Sequence, residues 1–177
     1  MKAIAEHIFD GAGETFDEQK YWTYGCHCFM LGDRPLSEMG MGAAVDPLDR
    51  SCHVYKDCQK CVRQKHGDEC IGEFVKYSWS NKGSNDVKTS ETAGTCEREL
   101  FECDRQFAHD MLAQSSHYVS DYHTFFGPWD NKDPANCPKG PGGPHTRECC
   151  GGSNKPYVLF NNNKLDCCSD GVPRVSC

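Results

Sequence analysis

The residues best equipped for chemistry lie in one stretch, Asp49-Arg50-Ser51-Cys52-His53-Val54-Tyr55-Lys56-Asp57-Cys58. It holds an imidazole, carboxylates, a phenol and an ammonium group within ten residues. A general base at neutral pH needs a pKa near 7, and a phenol with a pKa near 10 is ionised only about one part in a thousand. Tyr55 is therefore a poor base. His53 lies two residues from Tyr55, which on a helix sets it nearly on the opposite side. His109-Asp110 pairs an imidazole with a carboxylate but lacks flanking cysteines, and it reads as an ordinary helix-surface pair. His27 could meet a metal, but it stands alone in a loop.

Fourteen of the 177 residues are cysteine, an even count that points to a disulfide framework and an oxidising compartment. Zinc is the competing use of so many thiols. Paired CxxC knuckles with His at ligand spacing are missing, however. Cys58-x-x-Cys61 stands alone, and the doublets Cys149-Cys150 and Cys167-Cys168 suit bridges better than a tetrahedral site. The net charge of −7 argues against broad attraction to nucleic acid or anionic lipid. No stretch is apolar enough to span a membrane, and Met1–Ile8 lack the apolar core of a signal peptide. The cysteine load still argues for secretion, with a leader removed and the numbering restarted, or with Met1 as an expression start.

The elements that must position these groups follow from periodicity. Ile4, Ile8 and Phe9 make a short amphipathic start that breaks at Gly11-Ala12-Gly13, and residues 24–45 read as a Gly- and Met-rich loop. A helix over about 47–65 is signalled by Asp46 as cap, Pro47 in the first turn and Asp49 adding negative charge there. Leu48, Cys52, Tyr55 and Val62 fall on one face, with Gln59 filling the gap. A second helix over about 95–113 starts at Thr95 and carries Cys96, Leu100, Cys103, Phe107 and Met111 at the same period. Between them the chain is polar, with a candidate strand at Phe74–Trp79. Beyond Phe125 the composition shifts to cysteine, proline and glycine. There Pro156–Phe160, Asn161–Asn163 and Lys164–Cys168 read as strand, turn and strand.

The stretch 49–58, taken with Tyr24-Gly25-Cys26-His27-Cys28 and Cys103-Asp104-Arg105, resembles the core of secreted phospholipases A2. The resemblance covers roughly residues 20–115. It implies a mainly α, disulfide-rich fold with two antiparallel helices and a Cys-rich irregular or β-hairpin extension, divided as 1–125 and 126–177. It also implies the bridges Cys28–Cys52, Cys58–Cys103 and Cys70–Cys96. Two further family bridges lack both ends: Ser51 and Asp110 replace one pair. Phe101 stands at one end of the other, and no cysteine lies between Cys70 and Cys96 to receive it. The pairing of Cys26, Cys61, Cys137, Cys149, Cys150, Cys167, Cys168 and Cys177 stays open. The tail is similar to the double-cysteine repeats of galaxin-like matrix proteins; alternatively it is an extension tied back by Cys26 and Cys61.

In that family the segment reads Asp-Arg-Cys-Cys-x-x-His-Asp-x-Cys, with His as general base and the following Asp holding calcium. Tyr55 and Lys56 occupy those positions here. A cation replaces a ligand to a metal that requires hard oxygens. The calcium loop is degenerate at Tyr24, Phe29 and Leu31, where Phe and Leu resist the backbone conformations that glycine allows. Of the family's constellation only Asp104 survives, free to accept from Tyr55 or to pair with Lys56. The expectation is a secreted pseudoenzyme with no cofactor or bound metal. It would serve as a structural or binding subunit of an extracellular assembly, with other extracellular proteins or its own copies as partners. The alternatives are a phospholipid-binding or membrane-active protein, and less so an active calcium-dependent lipase. Venom relatives with Lys at this position are typically basic, whereas Lys155, Lys164 and Arg174 are dispersed here.

Overall fold

A computed structural model describes residues 1–30, 40–139, 146–152 and 154–177. Three helices carry the core: α1 (Lys2–Gly11), α2 (Pro47–His66) and α3 (Cys96–Ala113). The start of α2 is built by Asp46, whose Oδ1 accepts from the Asp49 amide at 2.8 Å, followed by Pro47, which has no amide to satisfy. It ends at Gly67, where φ of 99° is open to glycine and closed to most side chains. Arg63 and Lys65 place positive charge in the last turn, matching the helix dipole. Thr95 caps α3 by accepting from the Arg98 amide at 3.3 Å.

Contacts between α2 and α3 run in opposite numerical order. Tyr55 stacks on Phe107, Cys58 bonds to Cys103, and His66 reaches Glu99, so the helices are antiparallel. Leu48, Tyr55 and Val62 meet Leu100, Phe107 and Met111 in one buried cluster, to which α1 adds Ile4, Ala5, Ile8 and Phe9. Lys65 and His66 both pair with the buried Glu99 carboxylate, at 2.5 and 2.7 Å, fastening the end of α2 to the start of α3.

Seven disulfides join all fourteen cysteines. Cys28–Cys52, Cys58–Cys103 and Cys70–Cys96 lie within the helical part. Cys26–Cys137 and Cys61–Cys149 tie the tail to it, while Cys150–Cys167 and Cys168–Cys177 are internal to the tail. Where the family's other bridges are missing, the replacements are satisfied locally. The Ser51 hydroxyl donates to the Pro47 carbonyl at 3.1 Å, Asp110 accepts from Gln106 at 2.8 Å, and Phe101 is buried edge-on to Tyr77.

The tail forms two small antiparallel sheets. β1 (Arg147–Gly152) pairs with β2 (Lys155–Asn161), and β3 (Asp166–Cys167) pairs with β4 (Pro173–Arg174). The sequence pairs Pro156–Phe160 with Lys164–Cys168; the actual partner is β1, which the Cys61–Cys149 bridge fastens to α2. β2 packs against α2, Tyr157 joins the main apolar cluster, and its amide donates to Cys58 Sγ at 3.2 Å. Residues Phe74–Trp79 form no strand: Phe74 is 72 % exposed, and the neighbouring ladder is a single bridge between Ser80 and Lys88. Tyr77 instead turns inward as an individual anchor.

Candidate functional site

Tyr55 faces α3 from the middle of α2. Its hydroxyl donates to Asp104 Oδ1 at 2.7 Å and accepts from Gln59 Nε2 at 2.8 Å, while its ring stacks on Phe107 at 4.1 Å. Asp104 Oδ2 accepts from Tyr77 and lies 3.1 Å from the Met1 amine. Burial, and then the Asp104 charge, push the Tyr55 phenol well above its ordinary pKa. Tyr77 is displaced upward for the same reasons. The hydroxyl is thus a hydrogen-bond donor locked to a carboxylate, the reverse of a base waiting for a proton.

One residue on, Lys56 projects about 100° round the helix and away from Asp104. The alternative in which Asp104 pairs with Lys56 is therefore corrected: Asp104 takes Tyr55 and Tyr77, and Lys56 turns toward the loop. It is 2 % exposed, with Nζ 4.7 Å over the Phe29 ring. Burial lowers its ammonium pKa to about 7. The space bounded by His27, Phe29, Met30, Tyr55, Lys56 and Phe107 is closed down to about 10 Å³, the limit for one water molecule.

The loop before α2 is organised by carboxylates. Asp49 is fully buried, and its two oxygens accept from the amides of Cys26, His27 and Val45 at 2.7–3.0 Å. Burial raises its pKa against those three bonds. The Tyr24 hydroxyl donates to Asp46 and accepts from the Val119 amide at 3.2 Å, so this side chain is a strut. Tyr24 and Phe29 are accordingly structural here, and Leu31 lies outside the described residues.

The histidines go elsewhere. His27 Nε2 donates to the Gly42 carbonyl at 3.0 Å, and its ring stacks on His53 with 4.1 Å between centroids. Burial, followed by the charges of His53 and Lys56, lowers the His27 pKa to about 4. His109 pairs with Asp86 at 2.9 Å, and Arg105 binds the same carboxylate. Among the described residues, no three His, Cys, Asp or Glu side chains converge to hold a metal. With Asp49 already taken by three amides and an ammonium under Phe29, these residues do not fit a calcium ion.

The family model for phospholipase A2 matches residues 5–123. The chain belongs to the phospholipase A2 family. It is 31 % identical over 106 residues to a membrane-associated phospholipase A2 of Cavia porcellus, covering 60 % of this chain and 65 % of the relative. It is 34 % identical over 100 residues to the basic phospholipase A2 beta-bungarotoxin A-AL3 chain of Bungarus multicinctus, covering 56 % and 63 %. A membrane-associated phospholipase A2 of Homo sapiens is 30 % identical over 105 residues, 59 % of this chain and 64 % of the relative. The chain thus spans less than two thirds of the length of these relatives. The phospholipase A2 match ends before β1, so the tail sheets lie outside it. No helix among the described residues is long and apolar enough to cross a membrane.

Sequence reasoning missed Gln59 and Tyr77 as partners of the Tyr55–Asp104 pair. The i, i+4 spacing of Tyr55 and Gln59 carried a signal; Tyr77 sits in an irregular segment and carried none. It also missed the basic surroundings of His27 and His53, which depend on the tail.

Proposed function

We propose that this member of the phospholipase A2 family does not hydrolyse phospholipid and serves as a secreted structural or binding subunit of an extracellular assembly. The observation that carries this reading is the Tyr55–Asp104 hydrogen bond at the position where the family keeps its general base. A phenol raised above its ordinary pKa cannot accept a proton from water at neutral pH. Lys56 supplies no oxygen at the calcium-ligand position, and the space of about 10 Å³ between it and Tyr55 admits no acyl chain. Seven disulfides suit an oxidising, extracellular setting.

A second reading, lipid binding without hydrolysis, draws on a hollow of about 430 Å³ that Tyr55 and Asp104 themselves line, together with Met1, Gln59, Val75, Tyr77 and Trp79. Sedimentation of the purified chain, alone and with neutral phospholipid vesicles, distinguishes the two. Concentration-dependent self-association without vesicle binding is the expected result. A monomer that floats with vesicles would favour the second reading over the first.

A further inference from the structure

A hollow of about 240 Å³ lies where α2 and α3 meet β2 of the tail. Its inner side is buried and apolar: the Cys58–Cys103 bridge, the stacked rings of Tyr55 and Phe107, and Tyr157. The Tyr55 hydroxyl is taken by Asp104 and Gln59, so it offers the hollow no unpartnered polar group. Val54 and Val158, each 39 % exposed, mark the open side. Polar side chains enter the described lining at one place, where Gln106 and Asp110 stand one turn apart on α3.

Two features of this chain that the phospholipase A2 pattern does not supply meet here. β2 lies outside residues 5–123, and the Tyr157 amide holds it to the core by donating to Cys58 Sγ at 3.2 Å. Asp110 stands where the family resemblance places a cysteine. Its Oδ1 accepts from Gln106 Nε2 at 2.8 Å, a neutral donor that leaves the charge of the carboxylate unbalanced. No cation pairs with the Asp110 carboxylate among the described residues, and its chain neighbour His109 is engaged by Asp86. Burial raises the Asp110 pKa, against the Gln106 bond and the His109 charge. A cation brought to this carboxylate would therefore stabilise its ionised form.

We propose that this hollow binds a small amphiphilic amine, with its apolar body between Val54, Phe107 and Tyr157 and its ammonium group on Asp110. Apolar walls with one charged group at the edge suit both halves of such a ligand: the walls take the body and the carboxylate takes the head. An apolar cavity of about 150 Å³ is enough for benzene, so about 240 Å³ has room for a six-carbon chain or a ring on a short stem. A short fatty acid would set its own carboxylate against Asp110 and is disfavoured by like charge. The site joins helices inside the phospholipase A2 match to a strand outside it. It stands whether or not the protein hydrolyses lipid.

Calorimetric titration of hexylamine into the full chain at neutral pH tests it, with hexanol and hexanoate as the uncharged and anionic controls. One equivalent of hexylamine should bind saturably. Hexanol should bind about tenfold more weakly, the scale of one charge-assisted contact, and hexanoate more weakly still. Shortening hexylamine to butylamine should weaken binding about fourfold for each methylene removed. Asp110→Asn, whose amide oxygen can still accept from Gln106, should bring hexylamine down to the affinity of hexanol. Asp121→Asn, at an exposed acid elsewhere, should change nothing. Val158→Trp, which fills the open side, should abolish binding of both hexylamine and hexanol. Absence of saturable hexylamine binding, equal affinity for hexanoate, or full-strength binding by Asp110→Asn would overturn the site.

Discussion

The Tyr55 hydroxyl donates to Asp104 Oδ1 at 2.7 Å across the antiparallel pair α2 and α3, within one turn of the Cys58–Cys103 bridge. The bond closes a chain of donors, Gln59 to Tyr55 to Asp104, inside a low-dielectric core where each unpaired member would be costly. In the function proposed above, this is a structural use of the position that the family resemblance assigns to proton transfer.

Tyr55→Phe should therefore weaken the fold. The substitution leaves Gln59 Nε2 without its acceptor and removes one of the donors to Asp104. A loss of about 1–3 kcal/mol is expected, the cost of orphaning a buried polar group. Urea unfolding of the two proteins measures it, and an unchanged midpoint would contradict the network.

Lys56 makes stability depend on pH. Its folded pKa, lowered to about 7, lies below the ordinary lysine value. Between those two pH values the unfolded chain binds the extra proton, so stability rises as pH increases above 7. Below 7 both states are charged and the burial penalty is fully present. Unfolding midpoints should increase from pH 7 to pH 9 in the wild type, and Lys56→Met should flatten that rise. An equal rise in both proteins would assign it to other groups.

Removing the Cys61–Cys149 bridge by double substitution to alanine should loosen the tail while leaving the helices folded. The link closes a span of 88 residues, and its loss should cost on the order of 2–4 kcal/mol. Hydrogen exchange should accelerate in β1 and β2 and remain slow in α2 and α3. Uniform acceleration would mean that the tail and helices unfold as one.

Restoring both family residues, with Tyr55→His and Lys56→Asp, should bring back little activity. Asp49 would still be committed to the amides of Cys26, His27 and Val45, and Phe29 and Met30 would still crowd the space. Calcium needs several oxygen ligands, which one new carboxylate does not supply. Calcium-dependent esterase activity in the double variant at the level of an active relative would show that two residues alone silence the site.

The helices were readable because their signals are local. Asp46-Pro47 and Thr95 act on amides within one turn, and the apolar faces of α2 and α3 follow a fixed period. The Tyr55–Asp104 contact was readable through the family pattern, but the direction of Lys56 was not, because either side of the helix was open to a long side chain. β1 was invisible for a different reason. Cys149-Cys150-Gly151-Gly152 has poor strand propensity, and it becomes a strand through bridges to Cys61 and Cys167. The nearness of Lys139 and Arg147 to α2 depends on the same non-local pairing: nothing near them in the chain indicates that Lys56 and Lys60 lie beside them.

The decisive measurement is fatty-acid release from phospholipid vesicles by the purified chain, with calcium and with chelator. If Tyr55 is a locked donor and Lys56 fills the calcium-ligand position, both conditions should give only the rate of vesicles alone. Calcium-dependent turnover abolished by chelator would contradict the loss of the site. Turnover that survives chelator and disappears in His109→Ala would show that the chemistry lies at the His109–Asp86 pair instead.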